Sequence, residues 1–276
     1  MADGDCDQKM TSAAGGKKAG TTAGLLGVLT LVFLKFKVYI FAAFKALPLL
    51  KLGWILKGGG TMLLSLGLYT AMFGWKYAVT LIVLIYIHEM GHFIWMQAKG
   101  LKPNAPVFVP FMGAYVAMTN LPRDAATHAW VAYAGPLVGG IGAGLLYWWG
   151  LQSGNLYLVA AANTGFILNL LQLVPVRPFD GGFISGAISK WLSLPGIVML
   201  IAVALSYHSV LLLVISVFSL MTVVSQWRTG KHGIEGIKPA SGLQKVLISL
   251  AYFGLAAVLG LLYWTSDVDL MYLRRG

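Results

Sequence analysis

Residues 81–96 read LIVLIYIHEMGHFIWM, and the fold turns on how that run is understood. His88, Glu89 and His92 interrupt a stretch that is otherwise almost wholly apolar. A run of this kind belongs to a membrane-spanning helix, which takes about 20 apolar residues. An ionisable side chain at the centre of such a helix costs about 2.5–3.5 kcal/mol on insertion scales. Three of them within five positions need a compensating interaction.

The surrounding composition places the whole chain in the membrane class. Of 276 residues, 58% are hydrophobic and only 11% charged, with a mean hydropathy of +0.77, far from an ordinary soluble domain. Candidate spans are 61–75, 77–98, 129–149, 155–174, 194–206 followed by 209–225, and 243–264, with a break at Ser206-Tyr207-His208-Ser209. The expected fold is an all-α polytopic bundle of about six to eight transmembrane helices carrying a short membrane-associated β-hairpin. Its divisions are a disordered polar tail over 1–22, a segment at 23–60, a transmembrane core at 61–190 and C-terminal helices at 191–276.

The tail is polar and mixed in charge, which argues against a cleavable signal peptide. It also holds the sole cysteine, Cys6, so thiolate ligands within the membrane are excluded. Residues 35–60, with Lys35, Lys37, Lys45, Lys51 and Lys57 among apolar neighbours, fit either a basic amphipathic segment at the interface or a first span near 24–44. The net charge of +11 sits at the ends of apolar segments rather than in one aromatic-interleaved patch. It implies the lipid bilayer as partner and no nucleic acid.

Between Leu101 and Leu121 the chain reads LKPNAPVFVPFMGAYVAMTNL. Alternation at Val107, Val109 and Phe111, a turn offered by Gly113 and a return over Ala114–Met118 predict a hairpin. Open backbone at membrane depth is tolerated only where it is packed in protein or lines a wet cavity. Pro106 and Pro110 fit an edge strand, where a missing donor matters less, and that edge could hold an unwound substrate by strand addition.

In HEMGH the two histidines are four apart, so on a helix both imidazoles leave one face and can share an ion. Glu89 stands beside them to take a proton from water at that ion. A hydrolytic zinc site needs a third ligand and an open position. Only nine acidic residues exist, and Asp180, in NLLQLVPVRPFDGG at 169–182, is the one placed to come from a later apolar segment. Pro175 and Pro178 end the helix before it, and Gly181-Gly182 allow an irregular backbone that turns the carboxylate inward. His128, His208 and His232 lie at a helix start, a turn and a basic loop, and are not read as ligands. The small-residue stretch GPLVGGIGAG at 135–144 reads as plain helix packing.

The pairing of HEMGH with a later PxxPFDGG, together with VFVPFMGAYVAM at 107–118 and AWVAYAGPLVGG at 129–140, resembles the site-2 protease family of intramembrane zinc metalloproteases over about 61–190. The resemblance implies Zn2+ held by His88, His92 and Asp180, with Glu89 as general base. It implies membrane-protein or peptide substrates and a multi-pass protein of the prokaryotic cell (inner) membrane. Relatives usually carry an asparagine eight residues before the aspartate, held to position substrate. Here that position is Gln172, with Asn169 one turn earlier, so both are substrate-binding candidates. Phe183 stands where arginine is common. Competing classes are a membrane metal-ion transporter, a catalytically inactive homologue and a CAAX prenyl protease. The last would take a glutamate as third ligand, for which Glu235 sits poorly in a basic loop.

Overall fold

In a computed structural model the described residues are 59–109, 113–120, 122–229 and 237–273. The tail, nearly all of the 23–60 segment, Pro110, Phe111, His232 and Glu235 lie outside them. The described chain is mostly helical, with one two-stranded sheet.

Helix α1 (Gly60–Phe73) is followed by α2 (Trp75–Ala98). Gly74 divides them at φ +83°, a backbone state that glycine adopts without a Cβ penalty. The hairpin of β1 (Val107–Val109) and β2 (Gly113–Tyr115) is antiparallel, pairing Val107 with Tyr115, Phe108 with Ala114 and Val109 with Gly113. Gly113 therefore belongs to the returning strand rather than to the turn.

Helix α3 (Ala125–Ser153) starts where the Asp124 carboxylate accepts from the Thr127 amide at 2.6 Å and stops at Gly154 in the left-handed region, the usual cap chemistry at each end. Asn155 then caps α4 (Leu156–Gln172). An irregular stretch, 173–179, leads to the short α5 (Asp180–Ile188), a 3-10 turn, α6 (Ser193–Ser206), α7 (Val210–Thr229) and α8 (Gly242–Leu273).

Three helices, α2, α3 and α8, are long and apolar enough to cross a membrane, and α1, α4, α6 and α7 are shorter apolar helices. Their outward faces carry exposed Leu145, Trp148, Trp149, Phe218, Leu250 and Leu261, side chains suited to lipid. The principal core forms where α3, α4, α5 and α8 meet, around Ala129, Ala132, Phe166, Ile184, Tyr252 and Leu259. Small residues let the helices approach: a Cβ on Gly140 would lie 2.7 Å from Leu259, and one on Gly142 2.9 Å from Ile87.

Helix α8 thus packs within the core rather than beside it. It also runs past the expected end at 264, because its last turns are tied back by a hydrogen bond from the Tyr147 hydroxyl to the Asp269 carboxylate.

Candidate metal centre

Helix α2 delivers His88, Glu89 and His92 on its buried face, at 5%, 2% and 7% exposure. Asp180 arrives from the other side as the first residue of α5. The 173–179 stretch that carries it is pinned at both ends: the Tyr252 hydroxyl donates to the Leu173 carbonyl at 2.5 Å, and the Ser219 hydroxyl to the Arg177 carbonyl at 2.6 Å.

Gly181 and Gly182 serve this turn differently from the sequence expectation. Both are helical, and a Cβ would lie 2.2 Å from the Leu173 carbonyl oxygen or 2.4 Å from the Arg177 nitrogen. They are required by close backbone approach, not by an irregular conformation.

Three atoms meet at the centre. His88 Nε2 and His92 Nε2 are 3.1 Å apart, and Asp180 Oδ2 lies 3.1 Å from the first and 3.2 Å from the second. The opposite ring nitrogens fix what those atoms are. His92 Nδ1 is 2.8 Å from the Val131 carbonyl, which can only accept, so Nδ1 carries the hydrogen.

His88 Nδ1 is 2.8 Å from Asn169 Oδ1. The amide is oriented by its own Nδ2 donating to the Gly165 carbonyl at 2.8 Å, so this ring too is protonated on Nδ1. Two imidazole lone pairs and a buried carboxylate oxygen with no donor therefore face one another. A shared proton could relieve one of the three pairs, whereas a divalent cation relieves all of them. Edges of 3.1–3.2 Å are close to the roughly 3.3 Å ligand separation of a tetrahedron with bonds of about 2.0 Å. The donor set of two imidazoles and a carboxylate with a free side suits zinc, and His88, His92 and Asp180 form a group able to hold a metal ion.

Space for an ion is preserved by a glycine. A Cβ on Gly135 of α3 would lie 2.2 Å from His92 Nε2 and 2.8 Å from His88 Nε2, and one on Gly139 2.3 Å from Asn169 Oδ1. The stretch read from sequence as plain packing therefore also shapes the centre. Its signal, a run of small residues, is common to both roles.

Two cavities flank the group. One of about 450 Å³ is lined by His88, Asn169, Leu81, Leu84 and Ile85, and reaches Tyr69 of α1 and Leu211 of α7. The other, about 310 Å³, is lined by His92, Asp180, His128 and Phe183. Glu89, Ala114, Tyr115, Gln172 and Pro178 border both. Glu89 Oε2 is buried without a partner, while the Val116 backbone amide, just past β2, donates to the same carboxylate.

Asn169 stands behind His88, its Oδ1 on His88 Nδ1 and its Nδ2 donating to the Gly165 carbonyl, and it also lines the larger cavity. Gln172 is half-buried between the cavities. His128 lines the smaller cavity outside the three-residue group, and His208 lies in the turn between α6 and α7 at φ +49°.

The hairpin's free edge also differs from expectation. The Phe108 amide of β1 donates to Thr61 Oγ1 at 3.1 Å, so α1 covers the strand that Pro106 precedes; β2 borders both cavities, and β1 reaches the larger one only at Val109.

Residues 76–156 match the family model of peptidase family M50, the site-2 protease family. The matched stretch holds His88, Glu89, His92, Gly135 and Gly139; Asn169, Gln172 and Asp180 lie beyond it. No curated protein matches the chain.

Proposed function

We propose that the chain is an intramembrane zinc metalloendopeptidase of the site-2 type, cutting peptide bonds within transmembrane segments of other proteins. The observation that carries this reading is the convergence of three bare lone pairs, on His88, His92 and Asp180, beside a buried carboxylate oxygen of Glu89 that no protein atom satisfies. The match to peptidase family M50 over the histidine-bearing helix supports it. The shorter helices α1, α4, α6 and α7, with the three long ones, fit a multi-pass bundle within the six-to-eight range, and a prokaryotic inner membrane is the proposed setting.

His88 and His92 would hold the metal through Nε2, their Nδ1 hydrogens being engaged by Asn169 and Val131, and Asp180 would supply the third ligand. Bound zinc supplies Lewis-acid polarisation of a carbonyl and makes water more acidic. Glu89 Oε2 accepts a proton from the attacking water. As the carbon–nitrogen bond breaks, Glu89 returns that proton to the leaving nitrogen.

Gln172, on the border of the two cavities, donates its amide hydrogens to the carbonyl oxygen as negative charge develops there. The substrate must be unwound before attack, because helical hydrogen bonds screen its peptide groups. The outer edge of β2 re-satisfies the opened backbone by strand addition, laying one flank of the cut in the larger cavity and the other in the smaller.

A transporter would be expected to string ligands across the bilayer, whereas among the described residues His88, His92 and Asp180 are the one group of this kind. The test is cleavage of a library of transmembrane peptides by purified protein in lipid nanodiscs, followed by mass spectrometry. Products should form with wild type, vanish with a chelator and return with zinc. Zinc-loaded protein that cuts nothing would sink the reading in favour of an inactive homologue.

A further inference from the structure

One histidine of the smaller cavity has no part in the metal group. His128 is buried at 9% exposure and lines that cavity together with Glu89, His92, Gln172 and Asp180, yet it stands outside the three residues able to share an ion. Among the described residues its ring meets the Phe183 ring edge-on, with centroids 5.0 Å apart, and no protein group takes up its ring nitrogens.

The place of His128 on α3 fixes what it can reach. Residues three, four and seven apart share one face of a helix, so His128, Val131, Ala132 and Gly135 form a stripe. That stripe meets the metal group at two levels: the Val131 carbonyl holds His92 Nδ1 at 2.8 Å, and a Cβ on Gly135 would lie against both Nε2 atoms. His128 precedes Gly135 by two helical turns, about 10 Å along the axis. An extended substrate advances about 3.3 Å per residue, so the His128 ring stands beside a substrate residue about three positions from the bond presented to the metal.

The wall around the ring is otherwise apolar, with Met96, Met118, Val131, Ala132 and Phe183. An imidazole donates at one nitrogen and accepts at the other. An apolar substrate side chain pressed against it displaces water and returns no hydrogen bond, which leaves a buried polar ring unpaired. A hydroxyl or carboxamide side chain restores the lost bonds.

We infer that His128 selects an uncharged, hydrogen-bonding substrate side chain, that of Ser, Thr, Asn or Gln, about three residues from the cut on the flank that enters the smaller cavity. The assignment rests on the protease reading and deepens it: the favoured substrate is an apolar membrane segment carrying one such residue at that spacing.

Two measurements test it together. Peptides of one apolar sequence, each with a single Thr, Val, Asn or Leu at successive positions, are bound to Glu89→Gln protein in phosphatidylcholine nanodiscs. The same set is offered to wild type, with the cut located by mass spectrometry. Thr matches Val in shape and Asn matches Leu, so each pair isolates the hydrogen bond. About three residues from the cut, on one side only, Thr should bind about tenfold tighter than Val, and Asn than Leu. His128→Phe should erase both preferences, while His128→Gln, which keeps a donor and an acceptor, should retain part of them, each with unchanged zinc content. Equal binding within both pairs at every position, or preferences that survive His128→Phe, overturns the assignment, and the first of these outcomes needs no variant of His128 to fold. Selective binding without any cleavage by zinc-loaded wild type would instead refute the protease reading and leave the His128 subsite standing.

Discussion

Gly135→Ala is the sharpest single test of the metal centre, because the perturbation is one methyl group and its consequence can be worked out from distances. The added Cβ would stand 2.2 Å from His92 Nε2, and real Cβ atoms essentially never come within 3.0 Å of such a neighbour. The imidazole or helix α3 must therefore give way by about 0.8 Å.

The helix cannot retreat freely, since its Val131 carbonyl holds the opposite nitrogen of the same ring at 2.8 Å. Tolerances in metal coordination are about 0.2 Å, so a displacement near 0.8 Å breaks the bond from His92. Loss of an outer-shell partner alone weakens metal binding about 10–100-fold; losing a ligand should exceed that.

The control lies on the same helix: a Cβ on Gly144 meets nothing within 4 Å, and Gly144→Ala should leave the site alone while favouring the helix by up to about 1 kcal/mol. Zinc per purified polypeptide, by elemental mass spectrometry with a chelator competition, reads both variants. Full zinc occupancy with undiminished affinity in Gly135→Ala would refute the cradle and with it the convergence of the two imidazoles on one ion.

Glu89→Gln should keep zinc bound yet reduce peptide cleavage by more than about a thousandfold, since the amide cannot accept the proton; retained turnover would remove Glu89 from the role. Asp180→Ala and His92→Ala should each lower zinc content, and undiminished zinc in both would overturn the ligand assignment. Asn169→Leu should free His88 Nδ1 and weaken zinc about 10–100-fold while leaving the preference among substrate peptides intact, an outcome that separates positioning from substrate contact. Gly181→Ala should destabilise the fold by roughly 1–3 kcal/mol or more through overpacking against the Leu173 carbonyl, seen as a lower midpoint in thermal unfolding; an unchanged midpoint would show that the turn can yield.

The candidate site was legible because apolar surroundings make polar residues conspicuous: His88, Glu89 and His92 interrupt an apolar run, and Asp180 is one of only nine acidic residues. Helix positions were legible for the same reason, with α1–α4, α6 and α7 within a few residues of the expected spans, whereas the short α5 had no expected span. What failed to show depends on which faces meet. Asn169 and Gln172 are both amides near the end of one helix, and only the rotation of α4 against α2 decides that the first backs an imidazole at the larger cavity while the second borders both cavities. Gly135 and Gly140 look alike in sequence, yet one faces an ion-binding group and the other Leu259. The free edge of the hairpin could not be read either, because the choice is made by Thr61, more than forty positions away from the strand it covers.

The two imidazoles are held by supports of different kinds. His88 leans on the Asn169 side chain, while His92 leans on the main-chain oxygen of Val131, which every residue type at position 131 would also provide. A saturation mutagenesis screen for lost metal should therefore be lopsided, with hits at 169 and near silence at 131 for any side chain the packing accepts. One imidazole's orientation is exposed to genetic drift at a single codon, and the other's is written into the path of a helix.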